Sequence, residues 1–217
     1  MPDKVEQTER TRLRRYHERG HYDRATIDAI LDAMPHCHVG YLIDGKPVVM
    51  PTFQWREGDH VYWHASSAGR GIRNAQDNEV CLTVSILDGL VLARSGMHHS
   101  ANSRSVMIFG TARRIADPAE KLDKLKGFIE KMYPGRWDTL RPITDQEAKA
   151  TAILSLPITE ASAKVRSGGP VDDEEDYELP IWAGVIPVSM QIGEPVPDER
   201  NLPKVEEPTH VRGFRIG

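Results

Sequence analysis

Three short runs of alternating apolar and polar residues, separated by tight turns, fill residues 38–65. Val39, Tyr41 and Ile43 alternate, and Asp44-Gly45 follows, a dipeptide suited to a two-residue hairpin. Residues 48–55 return as a second run. Glu57-Gly58-Asp59 turns again, and residues 60–65 form a third run with Val61 and Trp63 on one face. Connections this short join antiparallel strands, because a parallel pair needs a crossover of a dozen residues or more. The chain is thereby committed to an antiparallel meander. Pro51 lies inside the second run and cannot donate to a ladder, so that position requires an edge, a bulge or a ligand beside it.

Around this meander the pattern predicts a helix over residues 26–34, with Asp23 or Thr26 as N-cap and Pro35 as its stop. A short helix over 72–78 precedes strands over 79–86 and 89–94, a polar loop over 97–104 and a long strand over 105–115. Asp117-Pro118-Ala119-Glu120 opens a longer helix that runs to Tyr133 and stops at Pro134-Gly135. Late strands are expected over 151–158 and 163–166, a solvated acidic loop over 172–176, and a last structured piece over 180–188. The fold class is α+β, a small antiparallel barrel with peripheral helices. It divides into a polar N-terminal arm (1–24), one domain (25–190) and a Pro- and charge-rich tail (191–217).

Composition removes several function classes. The 217 residues are 39% hydrophobic and 28% charged, typical of a globular protein able to build a core without staples. Net charge is −4, which disfavours nucleic acid as a partner. No apolar run approaches the roughly 18 residues of a membrane span. The first 24 residues mix seven basic with five acidic side chains and have no apolar stretch, unlike a signal or transit peptide. Cys37 and Cys81 make no disulfide framework and read as reduced thiols of a cytoplasmic protein.

Chemistry concentrates in residues 62–74. A strand ends there, Ser66, Ser67, Gly69 and Gly71 follow, and a helix opens carrying Arg70 and Arg73. Hydroxyls and forked guanidinium groups suit a phosphate, although the same composition also makes an ordinary connection. No P-loop, dinucleotide-binding glycine fingerprint or nucleophile elbow is present. No metal is expected: His36 and His38 flank Cys37 but strand neighbours point to opposite faces, and His98-His99 lacks a second ligand pair. Haem needs a single axial histidine, which spacing alone does not exclude.

Taken in order, several segments resemble one family. They are Tyr22-Asp23, His38-Val39-Gly40, the stretch from Gly45 to Pro51, that from Gly58 to Ala65, Gly69-Arg70, Ser103 to Ala112, and Pro180 to Val185. Over about residues 14–190 the chain resembles the FMN-binding split-barrel proteins related to pyridoxamine 5′-phosphate oxidase, nearest the branch of the nitroimidazole-resistance proteins. The resemblance implies a six-stranded split barrel, a homodimer, and FMN at the interface contacted by both chains. Carried over by position, Val48, Val49, Met50, Pro51 and Thr52 form the strand bordering the flavin ring. His64, Ala65, Ser66, Ser67 and Arg70 occupy the phosphate stretch, with Arg73 as a further phosphate partner and Trp63 as a cofactor contact, Ser105 is a polar flavin contact, and Trp182 covers the ring. His64 is the candidate catalytic residue, as a proton donor near a flavin nitrogen, or else only a phosphate contact. Gly69-Arg70 stands where the oxidase has a more basic pair, and Arg212-Gly213-Phe214-Arg215 does not reproduce its substrate motif. Oxidation of pyridoxamine phosphate is therefore not expected.

The leading expectation is an FMN-dependent oxidoreductase, nitroreductase- or flavin-reductase-like, with a small-molecule substrate and an electron donor such as NAD(P)H. The alternatives are a non-enzymatic flavin-binding or redox-sensing protein, and a haem-binding relative with His64, His98 or His99 as ligand.

Overall fold

The computed structural model describes residues 3–216. In chain order it contains β1 (Gly20–His21), α1 (Arg24–Ala33), β2 (His36–Ile43), β3 (Lys46–Glu57), β4 (His60–Ser66), α2 (Arg70–Ala75) and β5 (Glu79–Leu92). There follow β6 (Ser100–Thr111), β7 (Arg113–Arg114), α3 (Pro118–Met132), α4 (Asp145–Ala150), β8 (Thr151–Pro157), β9 (Glu160–Arg166) and β10 (Gly184–Pro187), with short 3-10 turns between them. The meander forms as the turns require. Asp44 and Gly45 both take positive φ, 50° and 74°, the conformation of a two-residue hairpin.

All strands join one antiparallel path, β1-β9-β6-β5-β2-β3-β4-β8-β7, with β10 added to β5. Strands β8 and β9 are consecutive, yet β8 pairs with β4 near one end of the path and β9 with β6 near the other. Only Ile158 and Thr159 separate them, so the sheet must curl until its ends meet. This is the split barrel. Ten strands are paired where six were expected: seven long ones and the three short pieces β1, β7 and β10. The split lies along β3, which is bonded to β2 over residues 46–53 but to β4 only over 54–57. Pro51 therefore sits on a free edge, where a missing N–H costs no ladder bond.

Inside the barrel pack Val39, Trp63, Leu82, Val106, Ile108 and Leu154, all fully buried, closed at one end by Ile27, Ile30 and Leu31 of α1. Asp23, rather than Thr26, is the cap of α1: its carboxylate accepts from the Thr26 N–H at 2.8 Å. Outside the barrel, α3 covers a second apolar layer on β3, β4 and β8, made by Trp55, Tyr62 and Ile153 with Leu125 and Phe128. Asp117 caps α3 and Pro118 opens it, as the sequence indicates. Lys124 ties the helix to Glu57 of β3 at 2.6 Å, and Lys121 donates to the carbonyls of Ala148 and Thr151.

Three expectations change. Residues 79–86 and 89–94 are not two strands but one, β5, because Asp88-Gly89 makes a bulge rather than a turn. Most of the predicted loop 97–104 is the start of β6, paired to the far half of β5. The acidic run is not wholly solvated: Asp172 is buried against Arg94, and residues 174–178 form a 3-10 turn. The N-terminal arm is docked, with Val5 and Thr11 buried, β1 on β9, and Arg10 paired to Glu79 and Glu160. The tail also returns to the domain, where Phe214 lies against Tyr133 and Ile216 against the core.

Candidate functional site

Strand alternation decides the site. On β4, Val61 and Trp63 face the barrel interior, whereas Tyr62 and His64 face outward under α3. His64 lies in the wall of a cavity of about 830 Å³. Leu122, Leu125, Phe128 and Ile129 of α3 form one side; Trp137, Leu140, Pro142 and Ile143 of the following loop form another. Asp138, Arg141 and Glu147 are the charged groups around it. Arg141 is engaged by Glu147, whose carboxyl is held down to about 2 by that guanidinium and by the Thr144 cap of α4. The volume is that of a cofactor- or drug-sized site, and the lining is mainly apolar.

The His64 ring is 4.8 Å from the Phe128 ring and 6.2 Å from that of Trp55. Its Nδ1 is buried and has no hydrogen-bond partner among the described residues. Burial pushes the His64 imidazolium below its ordinary range, so at neutral pH the ring is uncharged and keeps a lone pair. A buried imidazole nitrogen without a partner carries a desolvation cost of about 1–3 kcal/mol. A ligand atom on that nitrogen would remove it.

A second constellation lies across the barrel end. Ser66, Ser67, Arg70 and Arg73 gather at the start of α2, and the Gly69 N–H closes a turn onto the Ser66 carbonyl at 2.8 Å. A Cβ on Gly71 would sit 2.9 Å from the Tyr41 hydroxyl and 3.0 Å from Met50 Sδ. Glycine there lets α2 press onto β3, bringing Arg70 towards the free edge at Val48–Thr52. Both arginines are exposed, and neither has an ion-pair partner among the described residues. Val48, Met50 and Thr52 are half-buried, and Val49 and Pro51 point outward.

The other expected site residues lie elsewhere. Trp63 is fully buried within the barrel and offers a ligand no surface, since its parity on β4 places it opposite His64. Ala65, with the same parity, packs against the core. Ser105 is on β6, separated from β3 by β5 and β2, roughly 14 Å at ordinary strand spacing. Trp182 precedes β10 on the β5 side and is 69% exposed. One chain thus does not gather Ser105 and Trp182 beside Arg70. His98 and His99 do not line the cavity; His98 lies 3.5 Å from Asp172, and His99 meets the Ser95 carbonyl. The cavity itself was missed from sequence. Its one readable sign was the capping box from Thr144 to Glu147, which opens α4 and fixes the far wall.

Three solved structures are most informative. The flavocytochrome Anf3 of Azotobacter vinelandii is 53% identical over 97% of this chain and 98% of its own, with a TM-score of 0.95. A protein of Mycobacterium smegmatis described as binding FAD and haem is 34% identical over 91% and 97% of the two chains, with a TM-score of 0.86. A Bacteroides thetaiotaomicron protein assigned to 5-nitroimidazole antibiotic resistance is 26% identical over 67% of this chain and 86% of its own, with a TM-score of 0.57. A comparison with curated proteins found no match. The family model for pyridoxamine 5′-phosphate oxidase matches residues 23–165, which run from the cap of α1 to the last strand of the barrel. The chain belongs to the pyridoxamine 5′-phosphate oxidase family.

Proposed function

We propose that the protein is a flavin-dependent oxidoreductase that also carries haem, the two groups held at separate sites. The observation that carries this reading is His64: an uncharged, half-buried imidazole with a buried, unpartnered nitrogen, set in an apolar cavity apart from the cationic pair Arg70 and Arg73. The residues fit both groups. His64 supplies the donor atom, and Phe128, Leu122, Leu125 and Leu140 supply apolar walls for a flat macrocycle. Arg70, Arg73, Ser66 and Ser67 supply charge and donors for a flavin phosphate, and the free edge of β3 supplies backbone groups beside the ring. The relatives named for flavin and haem support the pairing.

When bound, the flavin would take a hydride from a reduced nicotinamide, and the haem would exchange single electrons with a small acceptor. The chain's part is to hold, orient and shield. Phe128 and Trp55 fix the His64 ring by packing. The α3 layer excludes water from one side of the cavity, and Arg141, kept charged by Glu147, stands where carboxylates of a ligand would face solvent. FMN follows from the sequence resemblance, but the 34% identical relative is named for FAD, and FAD is the reading favoured here. A second copy would complete the flavin site by bringing Ser105 and Trp182 to the Arg70 cluster, which makes the working unit a homodimer.

The absorption spectrum of the purified protein tests the reading, with the released chromophores identified after denaturation. A Soret band together with free FAD is expected. His64→Ala should lose the Soret band and keep the flavin, and Arg70→Ala should do the reverse. A His64→Ala protein with an unchanged haem spectrum would sink the assignment.

A further inference from the structure

Beside the cavity, an indole of the packed aromatic layer carries a carboxylate on its nitrogen. Trp55 is buried with its ring 5.6 Å from that of Tyr62 and nearly parallel to it, and 5.0 Å from that of Phe128. Its indole N–H donates to Glu57 Oε1 at 3.0 Å, while Lys124 holds the other oxygen of the same carboxylate. The place for that carboxylate is kept by Gly127, where any Cβ would overlap Glu57 Oε1. Glycine in the middle of a helix costs about 1 kcal/mol relative to alanine. Here α3 accepts that cost, and what it gains is a carboxylate seated against the indole nitrogen.

We propose that Trp55, with Glu57 as its proton acceptor and Tyr62 behind it, is a one-electron relay into the His64 cavity. The inference rests on the haem reading above. Trp55 gives one electron to the group seated at His64 and its indole proton to Glu57, leaving a neutral indolyl radical. Tyr62 refills Trp55 with an electron; Glu57 returns the proton to the indole, and the phenolic proton of Tyr62 leaves to water. The oxidant is hydrogen peroxide, which takes two electrons and two protons and becomes two waters. Tyr62 supplies one electron and one proton by this route, and a second electron from Trp55, whose indole proton leaves through Glu57 to water, supplies the other of each. The Lys124 ammonium 5.4 Å over the Tyr62 ring disfavours a cationic radical there, so the ring gives up its phenolic proton with its electron. The relay ends at Tyr62, whose ring lies 6.1 Å from that of the half-buried His60.

The test treats the purified holoprotein with one equivalent of hydrogen peroxide, freezes it, and reads electron paramagnetic resonance, with haem content measured on the same sample. The wild type should give a protein radical whose hyperfine pattern changes with ring-deuterated tyrosine or tryptophan. Tyr62→Phe should leave a purely tryptophan-derived signal, and Trp55→Phe should remove it. Glu57→Gln keeps an acceptor for the indole N–H but loses the base, and should lower the yield while the haem spectrum stays. An unchanged radical in haem-loaded Trp55→Phe or Glu57→Gln, or no protein radical in a haem-loaded wild type, overturns the relay alone. A sample without haem overturns the cofactor reading and the relay with it.

Discussion

His64 shows how far a single position is set by its neighbours. It is the residue that sequence reasoning singled out, but it belongs to a layer that reasoning did not anticipate. Its placement under α3 follows from strand parity, which is legible; the cavity comes from residues 122–151, 58 to 87 positions away, which is not. Trp63 is the opposite case, an aromatic assigned to a ligand that parity alone would have sent into the core. The protonation of His64 has a measurable consequence. Its folded-state pKa lies below its ordinary value of about 6.5, so as pH falls through that value the unfolded chain takes up a proton that the folded chain refuses. The contribution of neutral His64 to stability is complete above about pH 6.5 and declines in acid until the folded form also protonates. In the cofactor-free protein, the thermal midpoint should fall between about pH 7 and pH 5, and His64→Phe should show a shallower fall. Equal slopes in both would assign the effect to another group.

At the scale of elements, the hairpins were readable because Asp44-Gly45 demands a specific backbone, and α3 was readable because Asp117 and Pro118 mark its start. The long strand β5 was not, since a bulge and a turn share the same Asp-Gly signature and only tertiary pairing separates them. Residue Gly127 carries a prediction against propensity. Gly→Ala in a helix ordinarily stabilises by about 1 kcal/mol. Gly127→Ala should instead lower the unfolding midpoint, because its methyl displaces Glu57 and with it the hydrogen bond of Trp55 and the Lys124 ion pair. A raised midpoint would show that Glu57 is free to move aside.

At the scale of the whole molecule, the outer sheet face carries exposed apolar side chains. Leu42, Val49, Phe53 and Met107 are exposed on β2, β3 and β6, with His36 and His38 among them. A patch of that kind seeks cover. The proposed dimer predicts that the molar mass in solution is twice that of one chain. A charge within it, as in Phe53→Glu, should give a monomer that also sheds flavin. A monomer that retains flavin at full occupancy would place the cofactor within one chain.

The adjacency of β8 and β9 reaches beyond geometry into how the molecule is made. Val61 waits for Leu156, and Val106 for Ala163, so both closing ladders join residues far apart in sequence. Until residue 166 has been synthesised, the emerging chain carries two open strand edges, on β4 and β6, and β1 has no β9 to dock on. Such non-local closure slows folding, and open edges invite pairing with neighbouring chains. A ribosome-bound intermediate of this protein is therefore exposed to such pairing until its last third emerges, and a chain truncated before β8 should aggregate rather than fold as a smaller domain.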